Sequence, residues 1–502
     1  MNNNYISNRG YVIYKENITE KEIIDIRNEL TVKPFVLKDY NVVDCNIAFP
    51  VYLESNRKMY LPKFYGIKRF GNKDIVDKTH EGESIKIEFN GTLRPEQVDV
   101  VNTYLDVAHK IGGGIISLGC GSGKTTIALN ICSKLGKKTL VVVHKDFLLT
   151  QWRERIAQFL PTARVGLIKQ SKVQIEDRDI ILASLQSLAM REYLDNMLDS
   201  IGNVIIDECH HISSEVFSRS LPKIASRYML GLSATPQRKD GLTKVFEWYL
   251  GDIIIERKRE VDDTITVKSV QFHSTNKEYC QEKLNYTGKA NMSGMINNIV
   301  DYNVRTECIL IYIKELLKEN RNILLLTDRL NHIEYIKKCV EERNICDVGK
   351  YVGGMKEKDL KTSESCKLIL ATYSMAAEGM DIPHLDTLIL ASPRTDIEQS
   401  VGRILRKKVE DRTVKPIIVD IVDKFSVFIN QGKKRNTYYK KNKYKIVFED
   451  YYADGSNASN ITTYHDNNYD RDDNDDSEND NEESKMRSLL NKLKFGKCII
   501  KN

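Results

Sequence analysis

The feature that most constrains this chain of 502 residues is a glycine-rich segment, LGCGSGKT, at positions 118–125. An apolar run at 115–118 leads into it, and a helix-forming stretch at 125–135 follows it. A glycine loop between a strand and a helix lets backbone amides and the positive end of the helix dipole meet a phosphate group. The segment therefore predicts a phosphate-binding loop at the carboxyl edge of a parallel sheet.

Short apolar runs alternate with helical stretches along most of the chain. Buried runs of four or five residues separated by helices are typical of parallel sheets that are covered on both faces. The first series lies at 115–118, 139–143, 180–183, 204–206 and 229–232, and the second lies at 323–326, 368–371, 387–391 and 417–422. We therefore predict an α/β fold with two parallel-sheet domains in tandem.

Changes in composition mark further boundaries. Residues 1–90 mix short strand-like runs with turns and indicate a small α+β accessory domain, so the two sheet domains are expected at 91–260 and 261–450. The last segment, 451–502, is rich in Asn, Asp, Ser and Glu over 454–484. Such a composition cannot bury enough apolar surface to offset chain entropy. We expect a disordered acidic tail with a short basic end.

Composition also argues against several classes of protein. An apolar share of 41% and a charged share of 29% are ordinary for a soluble globular protein. No window reaches the roughly 18 consecutive apolar residues of a membrane helix, and the start MNNNYISNRG is unlike a signal peptide. The ten cysteines are scattered without a CxxC pair, which fits a reducing compartment. We expect an intracellular, soluble protein with no membrane association.

Residues of the loop and two acids that follow a later strand are candidates for binding a nucleotide and Mg²⁺. Lys124 would reach the β- and γ-phosphates of a nucleotide, and the Thr125 hydroxyl would bind Mg²⁺. Asp207 follows the apolar run at 204–206, so it lies at a strand's carboxyl end and would contact the same ion. Glu208 would then orient the attacking water. The loop residues expected to contact the nucleotide are Leu118, Gly119, Cys120, Gly121, Ser122, Gly123, Lys124, Thr125 and Thr126.

A pair of arginines lies in the predicted second domain. Arg403 and Arg406 are three positions apart, so on a helix they share one face. Two guanidinium groups brought across a cleft between the domains would stabilise charge on the γ-phosphate, as an arginine finger does. An Arg-x-x-Arg pair taken alone is most often a solvated helix face. Gln399 and Gly402 at fixed offsets favour the catalytic interpretation.

Taken in order, these segments resemble the motifs of superfamily 2 helicases of the DEAD/DEAH-box type. The matching segments are RPEQ at 94–97, the loop at 118–125, DECH at 207–210, SAT at 233–235, AT at 371–372, EGMD at 378–381 and the run at 399–406. The chain is most similar to the XPB/UvsW-like branch, and especially to the transcript-release DNA helicases of poxviruses and other large DNA viruses. LGLSATPQRKDG at 230–241 and GKYVGGMK at 349–356 carry this closer likeness.

The resemblance implies two RecA-like domains that use ATP and Mg²⁺. By this resemblance Gln97 would recognise adenine, Asp381 would help hold the ribose, and Gln399 would contact the γ-phosphate or its water. The residues that would couple hydrolysis to closure of the two domains are Ser233, Ala234 and Thr235.

The resemblance also implies a path for one nucleic-acid strand along the same edge of both sheets. The residues expected to contact its backbone are His144, Lys145, Ser184, Gln186, Arg329 and Thr372. Phosphate contacts position a strand without reading its sequence, so little sequence specificity is expected. The net charge of +6 includes the acidic tail, so the rest of the chain is more basic and suits a polyanion. The segment 432–447, rich in Lys, Arg and Tyr, would either line this path or close the second domain.

The resemblance thus predicts an ATP-dependent helicase or translocase that acts on DNA in transcription or repair, moves 3′ to 5′, and works with a transcription complex. An RNA helicase is the close alternative, because the same motifs serve both substrates. The other classes are a duplex translocase that never separates strands and an inactive binding module. A viral source would place the protein in the host cytoplasm, in virus factories, or in the virion.

Overall fold

The computed structural model describes residues 3–33, 48–73, 75–119, 121–191, 196–210, 220–234, 242–257, 262, 264–286, 288–380, 382–407, 409–453 and 464–465. The chain divides into two compact units. The first unit comprises Met1–Val261, Ser374–Pro383 and Glu398–Arg406, and the second comprises Asp262–Tyr373, His384–Ile397 and Lys407–Asn502. Most of the predicted acidic tail lies outside the described residues. No helix among the described residues is long and apolar enough to cross a membrane.

The first unit begins with a small, mostly antiparallel sheet. Its elements are β1 (Tyr5–Ser7), β2 (Gly10–Tyr14), α1 (Glu20–Glu29), β3 (Thr31–Val32), β4 (Phe49–Pro50), β5 (Leu53–Glu54), β6 (Lys58–Leu61), α2 (Lys63–Phe70) and β7 (Val76–Asp77). The strand order is β5-β6-β2-β1-β7, with β3 and β4 as a separate pair. A capping box starts α1, because Thr19 and Glu22 each accept a hydrogen bond from the other's backbone amide.

One face of this small sheet is apolar and buried. Ile6, Ile13 and Met59 belong to the same hydrophobic cluster as residues of the large sheet that follows. The hydroxyl of Tyr249 donates a 2.6 Å hydrogen bond to the carbonyl oxygen of Val51, which ties the two parts together. The predicted N-terminal α+β structure is confirmed, and it packs as part of the first unit.

The first large sheet has eight strands, and all of its pairs are parallel except β10 with β11. Its strand order is β11-β10-β12-β9-β13-β14-β8-β15. The elements are α3 (Pro95–Ile111), β8 (Gly113–Leu118), α4 (Lys124–Leu135), β9 (Thr139–Val143), α5 (Asp146–Phe159), β10 (Val165–Lys169), β11 (Lys172–Val173), β12 (Ile180–Ser184), α6 (Leu185–Met190), β13 (Asn203–Ile206), β14 (Tyr228–Ser233), α7 (Thr243–Leu250) and β15 (Ile253–Arg257). The central strands β8, β9, β12 and β13 are buried along their whole length, as expected where helices cover both faces.

The second large sheet has the order β18-β19-β17-β20-β21-β16-β22-β23 and is parallel except for β22 with β23. Its elements are β16 (Thr266–His273), α8 (Met292–Asp301), α9 (Asn303–Lys318), β17 (Ile323–Thr327), α10 (Leu330–Glu342), β18 (Val348–Tyr351), α11 (Glu357–Glu364), β19 (Leu368–Thr372), α12 (Tyr373–Gly379), β20 (Thr387–Leu390), α13 (Glu398–Val401), β21 (Ile417–Asp423), α14 (Ser426–Lys441), β22 (Lys445–Tyr452) and β23 (Tyr464–His465). Short 3-10 helices lie at Lys15–Asn17, Leu221–Lys223, Gly402–Leu405 and Val409–Asp411. The predicted pair of parallel-sheet α/β domains is confirmed.

Strand β21 carries two buried aspartates, and each is paired with a buried arginine. Arg305 Nε lies 2.6 Å from Asp423 Oδ1, and Arg435 Nε lies 2.9 Å from Asp420 Oδ2. Buried charges need partners with good geometry, because their desolvation is costly. These pairs therefore fix helices α9 and α14 against the sheet.

Candidate functional site

The glycine loop joins the carboxyl end of β8 to the start of α4. Gly121 and Gly123 have positive φ angles of 83° and 79°, a conformation that favours glycine. A Cβ at Gly123 would lie only 2.4 Å from Gln97 Nε2, so a larger residue there would displace the Gln97 side chain. The amide of Ser122 donates to the carbonyl oxygen of Gly119 at 3.3 Å and tightens the turn. The loop amides thus lie at the positive end of the α4 dipole. Cys120 lies outside the described residues.

The first turn of α3 supports this loop. Gln97 Nε2 donates to the carbonyl oxygen of Ser122 at 3.0 Å, and Arg94 Nη2 donates to the same oxygen at 2.8 Å. Gln97 Oε1 in turn accepts the backbone amide of Arg94 at 2.9 Å. The residue expected to recognise adenine is therefore held against the phosphate loop. The Arg94 contact was not foreseen from the sequence.

Lys124 is turned back into the loop and faces the second acid of the DECH segment. Its Nζ donates to the carbonyl oxygen of Leu118 at 3.1 Å and lies 4.0 Å from Glu208 Oε1. The side chains of Lys124 and Glu208 are 12% and 20% exposed, so water screens their attraction only in part. The predicted phosphate-binding lysine and the predicted base are brought together at one sheet edge. Thr125 and Thr126 follow in the first turn of α4.

Asp207 is oriented by two donors at the end of β13. Trp152 Nε1 donates to Asp207 Oδ2 at 2.9 Å, and the backbone amide of Glu208 donates to Oδ1 at 3.0 Å. Burial raises the pKa of Asp207, and the adjacent Glu208 charge raises it further. Glu208 itself has a φ of 47°, a left-handed conformation that is uncommon for a residue with a side chain. The Trp152 contact was not foreseen from the sequence.

His210 links this acidic turn to the end of β14. Its Nδ1 lies 2.9 Å from Ser233 Oγ and 3.5 Å from Glu208 Oε2. Ser233 pairs with Ser117 of β8, so the three segments meet at one edge. The imidazole of His210 therefore lies between Glu208 and Ser233. Ala234 is half-buried, and Thr235 lies outside the described residues.

The arginine pair belongs to the first unit, which also contains the glycine loop. Arg403 Nη1 and Arg406 Nη2 donate to the same carbonyl oxygen, that of Met380, at 2.7 and 3.2 Å. A Cβ built on Gly121 would lie 4.0 Å from the carbonyl oxygen of Leu405, between the two arginines in sequence. Gln399 is half-buried on α13. Asp381 lies outside the described residues.

The residues expected to contact nucleic acid in the first unit gather on neighbouring strands. Ser184 ends β12 and pairs with Val143, the residue before His144. Ser184 is buried, His144 and Lys145 are half-buried, and Gln186 is exposed on α6. Strands β13 and β14 separate β9 from β8, and β12 lies one strand farther away, so this group is displaced sideways from the phosphate loop by about 14–19 Å.

The second unit holds the other two predicted contacts. Thr372 ends β19 and pairs with Thr327, which lies two residues before Arg329. Arg329 Nη2 donates to Ser293 Oγ at 2.8 Å, and its Nε donates to Asn297 Oδ1 at 2.7 Å. The guanidinium of Arg329 is therefore bound to helix α8 in this conformation.

Comparison with known proteins identifies relatives of this arrangement. The family model described as "Type III restriction enzyme, res subunit" matches residues 90–238. A protein of Acanthamoeba polyphaga mimivirus, named as an ATP-dependent RNA helicase, is 38% identical over 474 residues, which cover 92% of this chain and 90% of that relative. A protein of Invertebrate iridescent virus 6, named as a helicase, is 27% identical over 77% of this chain and 88% of its own length.

Two further proteins are similar to this chain. A protein of African swine fever virus (isolate Pig/Kenya/KEN-50/1950), named as an ATP-dependent RNA helicase, is 27% identical over 70% of this chain and 72% of its own length. The crystal structure of T4 UvsW is similar with a TM-score of 0.34 and 17% identity, covering 87% of this chain and 96% of that one. The sequence comparisons confirm the resemblance to helicases of large DNA viruses.

Proposed function

This chain belongs to the family of viral ATP-dependent helicases of superfamily 2, and from that premise we propose that it couples ATP hydrolysis to 3′-to-5′ movement on DNA. One observation carries the proposal. Lys124 at the start of α4 meets Asp207 and Glu208 at the end of β13 at one sheet edge, with Lys124 Nζ 4.0 Å from Glu208 Oε1. A cation for phosphates, a carboxylate for a metal ion and a base are the parts that phosphoryl transfer requires.

We assign Mg²⁺ to Thr125 and Asp207. Burial and the Glu208 charge raise the pKa of Asp207, so a cation beside it would offset an electrostatic cost. A hydroxyl and a carboxylate are oxygen ligands that suit Mg²⁺, which when bound would neutralise charge on the phosphates. Because Mg²⁺ is usually held by one or two protein oxygens together with phosphates and water, the nucleotide would supply further ligands.

The remaining groups have complementary roles in turnover. Glu208 would orient the attacking water, and the nearby Lys124 would hold the phosphates that become more negative as the bond breaks. Arg403 and Arg406 would stabilise charge on the transferred phosphoryl group, a contribution of about 10³–10⁵ in rate for an arginine finger. Their common bond to Met380 keeps both guanidinium groups together. His210 contacts Ser233, and through this contact ATP hydrolysis would be coupled to closure of the two domains.

DNA is the proposed substrate because the segments at 230–241 and 349–356 resemble those of the transcript-release DNA helicases of poxviruses and other large DNA viruses. The predicted backbone contacts of the first unit follow β9 and β12, which lie in the same sheet as the phosphate loop, and those of the second unit follow β17 and β19 of its own sheet. A strand held there could move while the nucleotide turns over. A viral transcription complex in the host cytoplasm is the proposed setting, and phosphate contacts would give little sequence specificity.

The deciding experiment compares ATPase stimulation by matched single- and double-stranded DNA and RNA of one sequence. Stronger stimulation by DNA supports the proposal, and no stimulation by any nucleic acid would contradict it. Strand-displacement and triplex-displacement assays run in parallel then separate a helicase from a translocase that leaves the duplex intact. Movement with the opposite polarity would contradict the 3′-to-5′ assignment alone.

An RNA helicase is the second candidate, and a specific observation favours it. Two of the relatives, from Acanthamoeba polyphaga mimivirus and African swine fever virus, are named as RNA helicases. If RNA stimulates turnover and DNA does not, this assignment replaces the first. The nucleotide chemistry proposed above would be unchanged, because it depends on residues of the phosphate loop and the DECH segment.

A further inference from the structure

The residues that follow β20 are fixed by hydrogen bonds from neighbouring elements of the second unit. Arg305 Nη1 donates to the carbonyl oxygen of Ala391 at 2.6 Å. The Tyr373 hydroxyl donates to the carbonyl oxygen of Ser392 at 2.7 Å, and the backbone amide of Asp328 donates to Ser392 Oγ at 2.9 Å. Arg305 and Tyr373 are buried, so these bonds are protected from water. The chain at 391–392 is therefore rigid.

The backbone of Arg394 is held in the same way. Arg435 Nη1 donates to the carbonyl oxygen of Arg394 at 2.8 Å. Arg435 is itself fixed by Asp420, which also accepts a bond of 3.1 Å from the Tyr439 hydroxyl. Arg435, Asp420 and Tyr439 are all buried. Two buried arginines thus each devote a donor to the segment 391–394.

The side chain of Arg394, in contrast, points toward solvent. It is 48% exposed, its guanidinium lies 5.6 Å from the centroid of the Tyr373 ring, and its Nη1 lies 3.6 Å from Asp328 Oδ1. That separation is longer than a hydrogen bond, so the pair is a loose ionic contact. Burial raises the pKa of Asp328, while the charges of Arg394 and Arg329 act in the opposite direction. A rigid backbone therefore presents a half-exposed cation whose contact with Asp328 is loose.

Arg394 follows a strand that neighbours those of two residues predicted to contact nucleic acid. Strands β19, β17 and β20 are adjacent, and their carboxyl ends carry Thr372, Arg329 and Arg394 in that order. Neighbouring strands are about 4.8 Å apart, so all three ends lie within about 10 Å along one edge.

We propose that Arg394 binds a backbone phosphate of the nucleic acid, and that Asp328 holds its guanidinium when no phosphate is present. This inference rests on the proposed function. It adds one contact to the predicted path, and it assigns Asp328 a role that opposes binding. The Asp328 carboxylate, 3.6 Å from the guanidinium, competes with a phosphate for the same cation. Its negative charge also repels the phosphate. Arg305 and Arg435 are positioning residues that fix where the guanidinium is presented.

The two residues should act in opposite directions, and this distinguishes the proposal from a structural ion pair. Arg394→Gln should weaken binding of a fluorescent single-stranded DNA several-fold and reduce the slope of log K against log salt by about 1. Asp328→Asn should tighten binding. Arg394→Lys should keep the wild-type slope, because it keeps the charge. Arg343→Gln is the control, since Arg343 lies at the far end of α10, paired with Glu307, and should leave the slope unchanged.

The outcomes separate this inference from the proposed function. If the wild type binds DNA or RNA and Arg394→Gln keeps its salt slope, the Arg394 assignment is wrong and the proposed function stands. If Asp328→Asn weakens binding as much as Arg394→Gln does, the pair is structural and the competition is disproved. If the wild type binds no nucleic acid, both proposals are overturned. Thermal unfolding of each variant, with Arg394→Lys as the charge-preserving comparison, identifies a loss caused by misfolding.

Discussion

The indole of Trp152 and the carboxylate of Asp207 are joined by a 2.9 Å hydrogen bond from Nε1 to Oδ2. Trp152 lies on α5 and is almost completely buried, whereas Asp207 ends β13. The amide of Glu208 donates to the other carboxylate oxygen, so the plane of the carboxylate is set from two sides. A carboxylate oriented in this way is ready to bind an ion without reorganising.

Trp152→Phe should weaken the use of Mg²⁺ and shift the pH dependence of ATPase activity. The indole bond lowers the pKa of Asp207, which burial and Glu208 raise, so losing the bond raises that pKa further. The active carboxylate form of Asp207 is then lost at a higher pH. The acidic limb of the pH–activity profile should therefore move to higher pH. Outer-shell changes typically cost about 10–100-fold in metal affinity. Mg²⁺ titrations of ATPase activity across pH measure both effects.

Tyr104→Phe is the matched control for that variant. Tyr104 is buried in the same apolar cluster as Trp152, and among the described residues its hydroxyl makes no hydrogen bond to Asp207. Tyr104→Phe should leave the acidic limb of the pH–activity profile and the Mg²⁺ requirement unchanged. If both variants shift the limb equally, general loosening of the core is responsible and the Trp152 bond has no specific role.

The positions of Lys124 and Asp207 could be predicted from local sequence pattern, whereas the contacts made by Trp152 and Arg94 could not. Lys124 and Asp207 each follow a buried apolar run, so their place at the carboxyl edge depends only on local pattern. Trp152 and Arg94 reach the site from α5 and α3. These contacts depend on how the helices pack on the sheet, and a local sequence pattern does not indicate that packing.

The basic run at 432–447 shows the same limit. Its composition suited either a nucleic-acid groove or closure of the second domain. In the structure α14 turns Phe428, Gly432, Arg435 and Tyr439 inward, and a Cβ on Gly432 would lie 2.5 Å from Val422 of β21. This close packing favours the second interpretation, in which the segment completes the second domain. Counting charges could not distinguish Arg435, which is buried against an aspartate, from the solvated lysines around it.

Lys124→Ala should abolish nucleic-acid-stimulated ATPase activity and leave nucleic-acid binding intact. Its Nζ lies beside Glu208 at the loop, and removing one such donor costs about 100-fold or more in turnover. Lys134→Ala, at the exposed far end of the same helix, should turn over ATP at the wild-type rate. Steady-state ATPase assays and fluorescence binding measure the two effects. Persisting stimulated turnover in the first variant would contradict the assigned mechanism.

Arg403→Lys and Arg406→Lys should each lower kcat by about 10³, with a smaller change in KM for ATP. Either variant leaves the other arginine to donate to the Met380 carbonyl oxygen, so the local fold should be retained. Single-turnover hydrolysis with saturating ATP measures the chemical step directly. A loss of ATP affinity at unchanged kcat would show that the pair only holds the segment in place.

Gly123→Ala should destroy ATP binding, whereas Gly71→Ala should not. Both glycines have a φ of 79°, but Gly123 is left-handed with a ψ of 36°, whereas Gly71 has a ψ of 174°, a region that is essentially restricted to glycine. The control substitution therefore carries at least as much backbone strain as Gly123→Ala. Only at Gly123 would the new Cβ collide with Gln97 Nε2, since among the described residues nothing lies within 4 Å of the Gly71 position. Equilibrium binding of a fluorescent ATP analogue compares the two variants. Equal affinities would mean that the loop tolerates displacement of Gln97.

Lys63→Met should remove a pH dependence of stability that the first unit owes to one buried ammonium. Lys63 is 6% exposed and donates to the carbonyl oxygen of Arg227 at 3.3 Å. Burial lowers the pKa of Lys63 to about 8 from its ordinary value of 10.5. Between these values the unfolded chain holds a proton that the folded chain has released, so the free energy of unfolding should rise with pH, by on the order of 3 kcal/mol. Lys63→Met should exceed the wild type in stability at pH 7, and urea denaturation should show that difference shrinking toward about pH 10.5. A difference that stays constant with pH would contradict the lowered pKa.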